Sequence, residues 1–168
     1  TECPLGKEAL GSASVQCDSC SAGRFGNNFT KGTPRYRCTD CGPGKWSDTV
    51  AATSSSVCND CESGRSSQSI AATSIGFCID CLSGFFSSGS GSLYCDVCLP
   101  GFVSSASQST KCESCVSGKF QSSSAAQNCN EPRGGYFVGK DNATTDLPCP
   151  VGKHGRTEGN KNDCTQCP

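Results

Sequence analysis

Bulky hydrophobic residues recur one or two places after a glycine in this chain, and polar loops rich in Ser, Gly and Thr separate them. Short runs with β character flank the loops, for example residues 45–47 and 56–58. The pattern predicts one two-stranded hairpin per unit and no helix longer than a turn or two. We expect the bulky residues to form miniature cores: Phe25, Trp46, Phe85, Phe86, Phe102 and Phe120.

A cysteine motif repeats in step with these glycines, which indicates an array of small modules in series. The motif Cys-x-x-Cys-x-x-Gly begins at Cys17, Cys38, Cys58, Cys78, Cys95 and Cys112. Half copies stand at Cys3 and Cys149. The predicted divisions are a half repeat at 1–16, repeats at 17–37, 38–57, 58–77, 78–94, 95–111 and 112–129, an insertion or junction at 130–148, and an incomplete terminal repeat at 149–168.

The composition is typical of a disulfide scaffold. Cysteine supplies 17 of the 168 residues, and hydrophobic residues, cysteine included, make up only 34 %. Ordering the backbone costs about 1–2 kcal/mol per residue, so crosslinks have to replace the missing burial. A net charge of −1 without a basic stripe argues against nucleic acid as a partner. No apolar run approaches the length of a membrane span, so we expect no membrane insertion by this segment.

Paired cysteines at this spacing also fit zinc sites, and the two possibilities have to be weighed. Zinc takes ligands in sets of four, whereas the six complete pairs would leave five cysteines unused: Cys3, Cys129, Cys149, Cys164 and Cys167. N-glycosylation acceptors at Asn28 and Asn142 have meaning only in the oxidising secretory pathway. We therefore expect disulfides, with no metal and no cofactor, in an extracellular or cell-surface protein. With no Met and no signal peptide, the chain is expected to be a processed product or a segment.

The number of cysteines that each pairing rule can accommodate favours a serial pairing. If the second cysteine of each motif bonds the first cysteine of the next, sixteen cysteines pair and only Cys167 is left, for an intermolecular or out-of-segment disulfide. An interlocked pairing would accommodate twelve cysteines and leave five. The serial rule predicts Cys3–Cys17, Cys20–Cys38, Cys41–Cys58, Cys61–Cys78, Cys81–Cys95, Cys98–Cys112, Cys115–Cys129 and Cys149–Cys164.

The motif Cys-x2-Cys-x2-Gly-x-aromatic, followed by a Ser/Thr-rich loop such as residues 51–56, resembles the short cysteine-rich repeats of ephrin-receptor ectodomains. Those repeats are relatives of the cysteine-rich modules of tumour-necrosis-factor receptors and growth-factor receptors. The resemblance covers nearly everything except residues 130–148. It implies a small, disulfide-rich, mostly β or irregular fold, an elongated tandem array of two-stranded modules, and it transfers no catalytic residue.

Two functions fit such an array. The first is an extracellular structural glycoprotein that builds a fibre, coat or surface appendage, with itself as its partner, either as a polymer or within a longer chain. Its hydroxyl-rich loops are candidates for O-linked sugars, above all at Thr53, Ser54, Ser55 and Ser56.

The alternative function is a ligand-binding or stalk region of a cell-surface receptor. Two clusters are candidates for its ligand contacts: Tyr36 with Arg35 and Arg37, and Arg133 with Tyr136 and Phe137. We expect no enzyme, because the one histidine, His154, lies in a turn-like run.

Overall fold

The computed structural model describes residues 3–9, 16–27, 37–155 and 163–167. Within these ranges the regular structure is short β-strands and two single 3-10 turns, at Ser55–Val57 and Ile75–Phe77. Among the described residues, no helix has the length and hydropathy that crossing a membrane requires. The strands are β1 Lys7–Glu8, β2 Asp18–Ser19, β3 Arg24–Asn27, β4 Arg37–Asp40, β5 Lys45–Trp46, β6 Asn59–Asp60, β7 Arg65–Ser66, β8 Ile79–Asp80, β9 Phe85–Phe86, β10 Asp96–Val97, β11 Phe102–Val103, β12 Glu113–Ser114, β13 Tyr136–Phe137, β14 Leu147–Pro148, β15 Lys153–Gly155 and β16 Cys164–Gln166.

The strands pair two by two into antiparallel hairpins, each joining an odd-numbered strand to the next even-numbered one. The described residues form eight such two-stranded sheets. A bridge between Phe120 and Asn130 occupies the corresponding place between β12 and β13. The predicted fold class, a small disulfide-rich tandem array of two-stranded modules with no helix of note, is therefore confirmed.

Each hairpin begins with a four-residue turn whose third residue has a positive φ, the arrangement of a type II turn. In one of these turns, Phe102 donates its N–H to the carbonyl of Leu99 (3.0 Å), and Gly101 between them has a φ of +87°. The motif glycine is required because a side chain at this φ is strained. Glycines with positive φ hold this place throughout: Gly6, Gly23, Gly44, Gly64, Gly84, Gly101, Gly118, Gly135 and Gly152.

Eight disulfides close the hairpin loops in series, and they are the eight pairs of the serial rule. In each, the cysteine three residues before the turn glycine (the opening cysteine) bonds a cysteine that lies directly before the returning strand or bridge, or within the first two residues of that strand (the closing cysteine). The Cα atoms of each pair lie 5.5–5.7 Å apart. Six opening cysteines are at most 1 % exposed: Cys20, Cys41, Cys61, Cys81, Cys98 and Cys115.

The core consists of sulfur, backbone and small side chains rather than of aromatic rings. The place three residues after the turn glycine is buried in successive repeats, at Ser47, Ser67, Ser87, Ser104, Gln121 and Val138. The aromatic residues that were expected to form miniature cores are only half-buried: Phe25, Trp46, Phe85, Phe86, Phe102 and Phe120. That expectation was too strong, because neighbouring repeats meet through main-chain hydrogen bonds that leave room only for small groups between them.

The contacts divide the chain into two compact units, Thr1–Asp80 with Gly89–Tyr94, and Cys81–Ser88 with Cys95–Pro168. In the first unit, the N–H of Gly23 donates to the carbonyl of Ser47 (2.8 Å), whose own N–H donates to Ala72 (3.0 Å). The second unit repeats this pattern, from Gly84 to Ser104 (2.8 Å) and from Ser104 to Ala126 (3.1 Å). Within each unit, successive repeats are therefore joined by backbone hydrogen bonds as well as by the continuous chain.

In six of the loops that the structure describes, one residue adopts the left-handed backbone conformation and donates its N–H to the carbonyl of the opening cysteine of the preceding repeat. Ala71 donates to Cys41 (2.9 Å) in the first unit, and Ala125 donates to Cys98 (2.9 Å) in the second. This conformation costs an L-residue about 1–2 kcal/mol, which the inter-repeat hydrogen bond offsets. The residues with positive φ at this place are Ala51, Ala71, Gly91, Gln108, Ala125 and Asn142.

Candidate functional site

A hairpin of the common kind occupies the segment 130–148, which the sequence analysis treats as an insertion or junction. Its strands are β13 and β14, and its turn glycine, Gly135, has a φ of +81°. Counting from that glycine, Pro132 stands where the other repeats have an opening cysteine. Asp146, directly before β14, stands where they have a closing cysteine. This segment therefore holds a repeat without a disulfide, which we call the cysteine-free repeat.

An ion pair between Arg133 and Asp146 closes the cysteine-free repeat. The Nε and Nη2 atoms of Arg133 donate to the two carboxylate oxygens at 3.1 and 3.0 Å, and its backbone N–H donates to Oδ2 at 3.0 Å. The Asp146 side chain is only 2 % exposed, whereas that of Arg133 is 66 % exposed. The guanidinium carbon also lies 4.1 Å from the ring centroid of Tyr136, a cation–π contact.

The electrostatics of this pair favour the charged state of both partners. The pKa of Asp146 lies below its usual value because the Arg133 side chain donates hydrogen bonds to the carboxylate. Burial opposes that shift, and the backbone N–H of Arg133 adds to it. The pKa of Arg133 is raised above its ordinary value, first by the same side-chain hydrogen bonding and then by the charge of Asp146.

The cysteine pattern gives no sign of this repeat, but the glycine pattern does. Gly101, Gly118, Gly135 and Gly152 are each 17 residues apart, so the period continues through the segment without cysteine. From the sequence, Arg133 and Tyr136 were candidates for ligand binding. In the structure both take part in closing the cysteine-free repeat, through Asp146 and through each other.

The remaining receptor candidate falls mostly beyond the described residues. Arg35 and Tyr36 lie outside them, and Arg37 is exposed at the start of β4. Phe137, the last member of the second cluster, is half-buried and faces Leu147 across the hairpin. Of the two candidate clusters, the structure therefore shows one arginine–aromatic contact, that of Arg133 with Tyr136.

The cations that follow several turn glycines are paired with aspartates on the returning strand. Nε of Arg65 lies 2.8 Å from Oδ1 of Asp80. Although burial lowers the pKa of Arg24, hydrogen bonds to Asp40 and Glu8 and their charges raise it overall. Exposed pairs of this kind contribute about 0–1 kcal/mol each. Among the residues that the structure describes, three such cross-strand pairs occur, all in the first unit: Arg24–Asp40, Lys45–Asp60 and Arg65–Asp80.

Cys167 is an exposed free thiol, the one free cysteine of the described residues. Its N–H donates to the carbonyl of Gly152 (2.9 Å), the bond that Cys41 and other opening cysteines make to the preceding turn glycine. Cys167 therefore holds the position of an opening cysteine. Its Sγ lies 3.9 Å from Nδ1 of His154, which is exposed on β15.

The candidate glycosylation sites are exposed where they are described. Asn142 and Thr144, the two residues that define one sequon, are both exposed, and Asn142 has a φ of +55°. Asn28 lies outside the described residues. The four candidate positions for O-linked sugars are exposed: Thr53, Ser54, Ser55 and Ser56.

Two open clefts occur in the second unit. One, of about 540 Å³, lies between the hairpins β9–β10 and β11–β12 and includes Phe86, Val97, Leu99 and Phe102. The other, of about 340 Å³, lies in the loop of the cysteine-free repeat, between residues 137–140 and residues 143–147. Neither was predicted from the sequence, because each depends on how separate segments pack.

The described residues contain no group of three or more His, Cys, Asp or Glu side chains arranged to hold a metal ion. Comparison with protein-family models and with curated proteins finds no match for the chain. The chain is thus characterised by its structure, an array of cysteine-rich repeats with disulfides in series. So many disulfides suggest an oxidising environment, as outside the cell or in the secretory pathway.

Proposed function

We propose that the chain is a building block of an extracellular structural glycoprotein that forms a fibre, coat or surface appendage. The observation that carries this proposal is the serial disulfide array, in which successive crosslinked hairpins within each unit are joined by main-chain hydrogen bonds. Arrays of this kind extend by adding repeats, since each repeat contacts mainly its neighbours. A role without catalysis is part of the same proposal.

The repeat type that best fits is the one found in ephrin-receptor ectodomains and in tumour-necrosis-factor receptors. A buried opening cysteine, a turn glycine and a half-buried aromatic residue, as in Cys98, Gly101 and Phe102, support that assignment. It remains part of the proposal.

Glycans at Asn142 and on the hydroxyls of residues 53–56 form part of the proposed role. Asn142 occupies the left-handed position of its loop, where other repeats have Ala, Gly or Gln. The fold therefore needs only the backbone of Asn142, and its exposed amide is available for a sugar. Cys167 is proposed to bond a thiol of another copy or of a longer chain, because it holds the place of an opening cysteine.

Electron microscopy of the full chain, secreted from cultured cells with its disulfides intact, tests the structural role. The proposal predicts regular filaments or sheets. Dispersed particles that bind a soluble partner would instead favour the second candidate, a receptor stalk or binding region. The open clefts of the second unit are the observation that favours this second candidate.

Mass spectrometry of the same secreted protein tests the glycan. Enzymatic removal of N-glycans should leave Asp at position 142, and Asn142→Gln should lack that signal. Asn128→Gln is the matched control, since Asn128 is exposed but has no Ser or Thr two residues later and so is not part of a sequon. An unmodified Asn142 in the secreted wild-type chain would remove the glycan from the proposal.

A further inference from the structure

An apolar surface is exposed around the cleft between the hairpins β9–β10 and β11–β12. The cleft has a volume of about 540 Å³, and its apolar lining includes the half-buried rings of Phe86 and Phe102. Two aliphatic residues complete it, Leu99 at 62 % and Val97 at 38 % exposure. Side chains of this size are favoured inside proteins, so a cluster of them open to solvent marks a surface that binds something.

At one place in the repeat, the first residue of the turn, exposed aliphatic residues occur in three successive repeats of the second unit. Leu99 is the first residue of its turn, and the repeats on either side have Leu82 and Val116 at that place, 70 % and 60 % exposed. In the first unit the same place is held by Pro4, Ser21, Gly42 and Glu62. The turn geometry therefore accepts polar residues, and the aliphatic ones are not required by the fold.

The cross-strand pair next to the cleft shows the same change. In β5–β6 and β7–β8, the first residue of the hairpin is a cation that pairs with an aspartate. In β9–β10 that pair is replaced by Phe85 facing Val97. The surface beside the cleft is thus apolar where the corresponding surface of the first unit is charged.

Two charges of opposite sign also line the cleft, those of Asp96 and Lys111. Both are exposed, and neither has an ion-pair partner among the described residues. Asp40, Asp60 and Asp80, by contrast, each pair with a cation on the facing strand. An apolar surface that has one acidic and one basic group is complementary to itself, because a twofold rotation can bring each charge against the opposite one.

We propose that this cleft is a self-association surface, which binds the same cleft of a second copy of the chain. Leu99, Val97 and the two phenylalanine rings form the dry centre of the contact. Asp96 of each copy pairs with Lys111 of the other at the periphery. This inference rests on the proposed function, because it names the surface through which the structural building blocks meet.

Sedimentation of the full chain over a range of concentrations tests the surface. The background is Cys167→Ser, which removes covalent dimers. The parent should form a concentration-dependent dimer, and Leu99→Glu should weaken dimerisation at least tenfold because it places a charge in the dry centre. Val151→Glu is the matched control, since Val151 is a fully exposed aliphatic residue outside the cleft. A parent that stays monomeric, or a Leu99→Glu variant that dimerises as the parent does, would overturn the proposal.

A charge exchange tests the pairing independently of any loss of fold. Asp96→Lys and Lys111→Asp should each weaken self-association, because each places like charges opposite one another. Mixing the two variants should restore association as a heterodimer, which neither misfolding nor a different surface would produce. Failure of the mixture to associate would contradict the twofold pairing.

Electron microscopy separates this surface from the proposed structural role. If Leu99→Glu forms filaments as well as the wild-type chain does, this surface is overturned but the structural role is kept. If the wild-type chain forms no assemblies, the structural role itself is contradicted.

Discussion

Arg133 donates two side-chain hydrogen bonds and its backbone N–H to the carboxylate of Asp146, at the place where the other described repeats have a disulfide. The hairpin that this pair closes has the same turn and antiparallel strands as its neighbours. A charge pair can therefore substitute for a covalent bond in this architecture. The strength of the charge pair depends on pH, whereas the disulfides are broken by reducing agents. The cysteine-free repeat should therefore be more sensitive to acid than the other repeats and less sensitive to reduction.

A ninth disulfide should form when Pro132 and Asp146 are both replaced by cysteine in a Cys167→Ser background. The equivalent positions in the other repeats have Cα atoms 5.5–5.7 Å apart, within the range that a disulfide spans. A loop of this length gives about 3 kcal/mol in the chain-entropy account, reduced by the loss of the ion pair. Non-reducing peptide mapping should show the new link.

The matched control for that experiment pairs Pro132→Cys with Thr145→Cys. A shift of one residue along a strand turns the side chain to the other face, so this pair should stay reduced. Equal crosslinking in both variants would mean that residues 132 and 146 do not hold the equivalent of a disulfide position.

Acid should open the cysteine-free repeat selectively. The folded-state pKa of Asp146 is depressed, so its stabilising contribution is fully present above the unfolded value of about 4. The contribution is lost as the pH falls through the folded pKa. Protection of the Arg133 amide from hydrogen exchange, corrected for the intrinsic rate, should therefore fall as the pH drops below about 4.

Asp146→Asn provides the control, since it removes the titrating group but keeps a similar shape. In this variant, the free energy of opening at the Arg133 amide should already be lower by about 1–3 kcal/mol at neutral pH. Protection of that amide should then show no acid-dependent step. An unchanged acid step in this variant would assign the pH dependence to another group.

Replacing a turn glycine should destabilise the array strongly. A Cβ atom on Gly84 would lie 2.2 Å from the carbonyl oxygen of Ala125, and the φ of Gly84 is +85°. Gly84→Ala should therefore cost more than about 1 kcal/mol in unfolding free energy. Gly134→Ala, whose Cβ would meet nothing within 4 Å, should be close to neutral. Calorimetry of the oxidised proteins distinguishes the two, and similar melting temperatures would contradict the close backbone approach.

The left-handed loop positions predict the opposite response to glycine. Ala125 has a φ of +55°, so Ala125→Gly relieves strain and should raise the unfolding free energy by up to about 1 kcal/mol. Ala126→Gly, next along the chain, should lower it by about 0.5–1 kcal/mol through backbone entropy. The same calorimetric comparison measures both, and destabilisation by Ala125→Gly would count against a strained loop.

The cysteine spacing contains most of the information about the fold, because serial closure of loops of about 15 residues divides the chain into one small crosslinked module per repeat. The period of the turn glycine was equally informative, and following it through Gly135 would have located the cysteine-free repeat. The inter-repeat hydrogen bonds, such as that from Ala71 to Cys41, were not predictable from residue types. They are made by backbone atoms, and Ala at a left-handed position has no sequence signature. The cleft around Leu99 depends in turn on how those bonds place one hairpin beside the next.

Non-reducing peptide mapping of the secreted full chain tests the serial disulfide array most directly. The structure predicts eight linked peptide pairs, each joining an opening cysteine to the next closing cysteine, from Cys3–Cys17 to Cys149–Cys164. Links between distant repeats, an interlocked pattern, or cysteines recovered as free thiols at positions other than 167 would contradict it.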